Sequence, residues 1–346
     1  MLACVPFTGS VPIKDVADLS GVPESQLSCV IRMTATAGFL NEPQPHQVAH
    51  TALSASFVDR PSLLDAAMFL AASNAPAALH MAEATQRYGA SIHARESAYS
   101  LALDPRTTLQ AACEQRPKLR RQWAAYLHYV GDGDEAGVTD VLTRLDWVNL
   151  GNACVVEVNA PSCLMASALA KLYPALHFVV QIAEQNHGAA TRLDLLAPVS
   201  SRIAVHKRVP GTPQMVTDAA VYIFRLPLPC PSPGVPSQSL PLRITSELRT
   251  HLCVLRANLH SIIIVTARPL PEPGTVDPRL EALARSGELS LLQLTNERTV
   301  RIDELVELLE GVGDDAGRLV VTNQLLSSDK TTVALVVKYQ PYGQGL

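Results

Sequence analysis

Two periodicities divide the chain near residue 150: ahead of it apolar residues recur at helical spacing, and behind it short β-branched runs alternate with helical stretches. Residues 14–20, the tight turn Gly21-Val22-Pro23-Glu24 and residues 25–37, with Leu27, Val30, Ile31 and Phe39 in step, predict a helix, a turn and a second helix. Residues 39–42 and 48–51 predict the short hairpin of a winged helix. Ala-rich helices are expected over residues 62–88, broken at Pro76, and over 117–129, before an acidic loop at Gly131-Asp132-Gly133-Asp134. Farther on, strands are predicted at 154–158, 177–181, 203–206, 220–225 and 261–267, with helices at 162–171, 246–259 and 302–309. A closing antiparallel hairpin is expected from 318–322 and 332–339. The class is therefore α/β: a helical winged-helix unit over residues 1–135 and, over 136–346, a largely parallel sheet covered on both faces.

Composition narrows the picture by exclusion. A chain of 346 residues, 47% hydrophobic and 17% charged, can bury a large core in two compact units. A formal charge of -4 gives no general basic field for nucleic acid or an anionic membrane surface. Unbroken apolar runs such as 262–265 and 333–337 fall short of the roughly 20 residues that span a bilayer, so no membrane segment is expected. The opening Met1-Leu2-Ala3-Cys4-Val5-Pro6 does not predict a secretory signal. Seven cysteines without a CxxC pair, and no Asn-x-Ser/Thr acceptor, agree with a reducing interior. No zinc-ligand, paired-carboxylate or Ser-His-Asp spacing stands out, and Asp132, Asp134 and Glu135 do not follow a calcium-loop pattern, so no metal is expected.

In a doubly wound sheet a ligand binds where the first strand turns into its helix, and a nucleotide-like cofactor needs glycines there so that the backbone can approach it. The strand Val155-Val156-Glu157-Val158 runs into Asn159-Ala160-Pro161-Ser162-Cys163, with no glycine. Pro161 fixes its own φ and pushes Ala160 towards an extended form, so the loop is not expected to copy a glycine turn.

The stretch from Val155 to Gln181, including Lys171-Leu172-Tyr173-Pro174, resembles the first two strands of plant- and fungal-type O-methyltransferases. That resemblance implies a Rossmann-like class I methyltransferase domain. In active members the loop is Gly-Gly-Gly-x-Gly and an acid after the second strand holds the ribose of S-adenosylmethionine. Alignment by motif sets Asn159 to Cys163 on the glycines and Ile182 on the acid, while the nearby Glu157 and Glu184 do not match its position. Active members also carry a His-Asp/Asn-Trp after the fourth strand, whose histidine is the general base. Here Tyr222-Ile223-Phe224-Arg225 is followed by Leu226-Pro227-Leu228-Pro229-Cys230-Pro231, so Pro229 stands at or beside that histidine. His177, His187, His206, His251 and His260 remain as lone histidines. The expectation is a pseudo-methyltransferase with no cofactor.

The N-terminal half is more specific. Thr8-Gly9-Ser10-Val11-Pro12-Ile13-Lys14-Asp15-Val16-Ala17-Asp18-Leu19, Asp65-Ala66-Ala67-Met68-Phe69-Leu70 and Asn159-Ala160-Pro161-Ser162 resemble the methyltransferase-like co-activators of aflatoxin-type aromatic polyketide clusters. The resemblance implies a non-catalytic partner of a Zn2Cys6 transcription factor, in nucleus and cytoplasm, and a homodimer. Members of that family carry further helices before the winged helix, which leaves open whether the dimer would form here. The alternative is a transferase that methylates a polyketide phenol with a rearranged site. Residues 1–60 hold three basic residues, Lys14, Arg32 and Arg60, against Asp15, Asp18, Glu24, Glu42 and Asp59. That balance speaks against direct DNA binding. The segment with Pro227, Pro229, Pro231, Pro233 and Pro236 favours an extended conformation and suits either partner docking or a surface linker.

Overall fold

The structure is a computed structural model that describes residues 1–129, 135–183, 201–226 and 240–343. It divides into two compact units, Met1–Pro76 with Ala112–Tyr129, and Ala77–Ala111 with Val130–Leu346. Residues 77–111 thus group with the C-terminal part, whereas the sequence division at 135 sets them with the N-terminal helices.

The N-terminal unit opens with β1 (Val11–Pro12), α1 (Ile13–Ser20) and α2 (Glu24–Thr36). Helix, turn, helix and hairpin follow in the expected order. Gly21 adopts φ 68 after α1, a left-handed form that glycine takes without steric cost, and its N–H returns to the Ala17 carbonyl. β2 (Leu40–Asn41) and β3 (Gln47–His50) pair antiparallel, and β1 joins the other side of β3. Ile13, Val16, Leu27, Ile31, Leu40 and Val48 form the small core between them. α3 (Ala52–Asp59) starts on a capping box, in which the Thr51 hydroxyl accepts from the Ser54 N–H and the Ser54 hydroxyl accepts from the Thr51 N–H. The Thr51 hydroxyl also donates to the Phe39 carbonyl at 2.7 Å, which ties the helix to the hairpin.

α4 (Pro61–Phe69) runs through a π-helical turn, Leu70–Asn74, into α5 (Ala75–Leu79). The expected break at Pro76 does not occur. The wider turn lets the Ala75 N–H reach the Leu70 carbonyl, which makes room for a proline lacking a donor, and the helix ends at Leu79, before a turn at His80. Pro61–Leu79 is by length and composition apolar enough to cross a bilayer, with mean hydropathy 1.2, although Ser62, Asp65, Ser73 and Asn74 leave it no long unbroken apolar run. α6 (Met81–Tyr88), α7 (Ala98–Leu103), α8 (Leu109–Gln115) and α9 (Pro117–Leu127) complete the helical part. α9 packs on α4 through an aromatic cluster, with Phe69 4.9 Å from Trp123 and 5.0 Å from Tyr126 between ring centroids.

The C-terminal unit is built on a seven-stranded sheet. After α10 (Glu135–Thr143) come β4 (Cys154–Val158), α11 (Leu164–Leu172), β5 (His177–Ala183), β6 (Ile203–Arg208), β7 (Val221–Arg225), β8 (Ile262–Ala267), β9 (Gly317–Leu326) and β10 (Val333–Pro341). The spatial order is β6-β5-β4-β7-β8-β10-β9, parallel except for β10, which runs antiparallel to both β8 and β9. Alternation at period two explains the burial on both faces: Val156, Val158, Tyr222 and Phe224 enter one core, while Val155, Val221 and Ile223 enter the other. α11 covers the second face with Met165, Ala166, Leu169 and Ala170. Each fully buried leucine such as Leu169 contributes about 2 kcal/mol of apolar burial.

Two features depart from the pattern read in the sequence. The helix expected over 246–259 is two helices, Leu240–Arg249 and Leu252–Ala257, because the side chains of Thr250 and His251 both turn back to the Glu247 carbonyl. A further helix, Pro278–Thr295, lies after β8, started by Asp277 accepting from the Arg279 N–H. At the outer strand β9 the Leu319 N–H bonds the Val312 carbonyl at 2.9 Å and the Val321 N–H bonds a Glu310 carboxylate oxygen at 3.3 Å. A bulge near Val336 and Val337 interrupts the β10–β9 ladder.

Candidate functional site

The first turn of the sheet takes a glycine-like path without glycine. Asn159 leaves β4 at φ 56, the left-handed region that asparagine tolerates better than most residues, so the bend forms despite Pro161. The Ala160 N–H then bonds the Gln181 carbonyl of β5 at 2.9 Å. Ala160 and Cys163 are buried in the core under α11, while Pro161 is exposed. The Ser162 hydroxyl accepts from the Leu164 N–H at 3.2 Å and so closes the first turn of the helix on itself.

What lies beside this turn is also self-contained. Ile182, at the motif position of the ribose-binding acid, is fully buried and presents only methyl groups. Glu157, fully buried in β4, pairs with Arg225 at the end of the neighbouring β7 at 3.0 Å. A carboxylate out of water requires such a partner, because an isolated buried charge costs several kcal/mol. Burial, with the Glu157 carboxylate as a second cause, pushes the Cys163 thiol up; burial and Asp218 do the same to Cys154. Both therefore stay protonated and unreactive near neutral pH. Among the described residues, the motif position of the ribose-binding acid carries the apolar Ile182, and the Glu157 carboxylate beside the turn is paired with the Arg225 guanidinium, which is a poor fit to an adenosyl ligand.

A second polar group, not foreseen in the sequence, lies at the ends of β5 and β6. Gln181 and Gln214 exchange two amide hydrogen bonds, at 2.7 and 3.0 Å. The remaining Gln214 N–H donates to His251 Nε2 at 3.1 Å, and His251 Nδ1 then donates to the Glu247 carbonyl at 3.0 Å. Burial drives the His251 pKa down to about 4, so the ring is neutral and this tautomer follows from its neighbours. Arg208 forms a buried ion pair with Glu247 and donates to the Thr212 carbonyl at 2.6 Å; Glu247 also accepts from the Gly211 N–H at 2.6 Å. The Tyr222 hydroxyl donates to the Val216 carbonyl at 2.7 Å, and burial pushes its pKa up to about 12.

The remaining predicted residues divide plainly. Pro227, Pro229, Pro231, Pro233 and Pro236, together with Glu184, His187, Asp132 and Asp134, lie outside the described residues. His177, His206 and His260 are exposed, and His251 is the buried hinge of the network. Among the described residues no group of three or more His, Cys, Asp or Glu side chains is arranged to hold a metal ion. The structure thus brings together Asn159, Ala160, Cys163, Ile182 and Glu157 at one turn. It adds Arg225, whose ion pair no local motif announces.

No protein-family model matches the chain. Among curated proteins it is 50% identical over 350 residues to the trypacidin cluster transcriptional coactivator of Aspergillus fumigatus, covering 100% of this chain and 77% of that one. It is 46% identical over 387 residues to the monodictyphenone cluster transcriptional coactivator of Emericella nidulans, covering 99% and 80%. The dothistromin biosynthesis regulatory protein of Dothistroma septosporum is 43% identical over 363 residues, with 99% and 79% covered. Among solved structures, the mitomycin 7-O-methyltransferase superposes with a TM-score of 0.68 at 17% identity over 96% of this chain and 88% of that one. A pericyclic reaction enzyme superposes at 0.72 with 14% identity, over 96% and 81%. These likenesses establish the class I methyltransferase fold, and the fold alone, since it hosts unrelated chemistries. By sequence, the chain belongs to the O-methyltransferase-like transcriptional coactivators of fungal secondary-metabolite clusters.

Proposed function

We propose that this chain is a non-catalytic coactivator: it binds a Zn2Cys6 transcription factor, acts in the nucleus, and promotes expression of an aromatic polyketide cluster without methylating anything. The observation that carries the reading is the first turn of the sheet, where Asn159 to Cys163 replace a glycine loop, Ile182 replaces an acid and Glu157 is neutralised by Arg225. The Ser162 hydroxyl is engaged with the Leu164 N–H, and the Glu157 carboxylate is paired with Arg225. Titration of the purified chain with S-adenosylmethionine in a calorimeter is expected to give no binding heat, and co-purification with the factor encoded in the same cluster is expected to succeed. Saturable cofactor binding, or a methylated phenol formed by the pure chain, would establish the alternative of a working transferase.

The winged-helix reading enters as a packing and dimer unit. Leu64, Met68, Ala71, Ala72 and Ala75 are exposed along one helix at helical spacing and carry no charge, and the small alanines allow a second copy's helix to approach closely. Sedimentation at micromolar concentration is expected to show a dimer that Met68→Glu disperses. Direct DNA binding is not expected, because Arg32, the one cation of α2, is committed to Glu42 at 2.9 Å.

A further inference from the structure

We draw no further inference here: the strongest candidate, the buried Glu297 carboxylate oxygen just past the helix Pro278–Thr295, which has no hydrogen-bond partner, already feels the charge of Arg243, and nothing in the structure shows what ligand would meet it.

Discussion

Two buried ion pairs stand at strand ends of the same sheet, and they are built differently. Arg208 and Glu247 join β6 to the helix Leu240–Arg249, and around them the Gly211 N–H, the Thr212 carbonyl and the Thr250 hydroxyl are all engaged. Glu157 and Arg225 join β4 to β7, two strands that the parallel ladder already holds together. The first pair therefore fixes the path of the chain after β6, whereas the second occupies a place beneath the turn where a cofactor would need polar groups. The same two side-chain types serve as a brace in one region and as a filling in the other.

The largest expected effect tests the brace. Arg208→Met strands the Glu247 carboxylate and frees the Thr212 carbonyl, and is expected to cost about 3–5 kcal/mol in urea unfolding, with rapid hydrogen exchange at the Gly211 amide. Arg225→Met removes the guanidinium paired with the buried Glu157 and is expected to cost about 3 kcal/mol, and combining it with Glu157→Leu should recover part of that loss. The corresponding double change at 208 and 247 is expected to recover less, because the Gly211 N–H and the Thr212 carbonyl lose their partners there; equal recovery at both sites would break the distinction.

Protonation separates the regions a third way. His251 belongs to the network, and its folded pKa of about 4 lies below the ordinary histidine value of 6.5. Between those values the unfolded chain binds the proton and the folded chain does not. The neutral ring's contribution is thus complete above about pH 6.5 and is lost as pH falls towards 4, about 2 kcal/mol of it by pH 5. Comparing unfolding of the unmodified chain and His251→Gln at pH 7 and pH 5 checks this, since the variant should lack that part of the acid loss. The smallest effect lies at the turn: Asn159→Ala is expected to lower stability by about 1 kcal/mol and Asn159→Gly to leave it nearly unchanged, read as thermal midpoints.

The same contrast explains what could be read from the chain beforehand. β4, its helix and the flanking strands follow from local alternation, so the turn Asn159 to Cys163 could be located in the sequence residue by residue. Asn159 holding the left-handed bend that Pro161 was expected to prevent reflects a side-chain tolerance that a glycine-centred pattern overlooks. The network left no such trace, because Gln181, Gln214 and His251 are separated by 33 and 37 residues and meet only after the sheet has formed. The helix Pro278–Thr295 did have a signal, an Asp-Pro pair at its start, hidden by the lack of an apolar stripe strong enough to stand out.

The carboxylate of Glu310 against the Val321 amide has a consequence beyond this chain's own stability. An outermost strand with a free row of amide hydrogens recruits strands from other copies, and identical chains then grow sideways into ribbons. A negatively charged cap and a nearby bulge turn such recruits away, so many copies can gather in one place while each keeps its own shape.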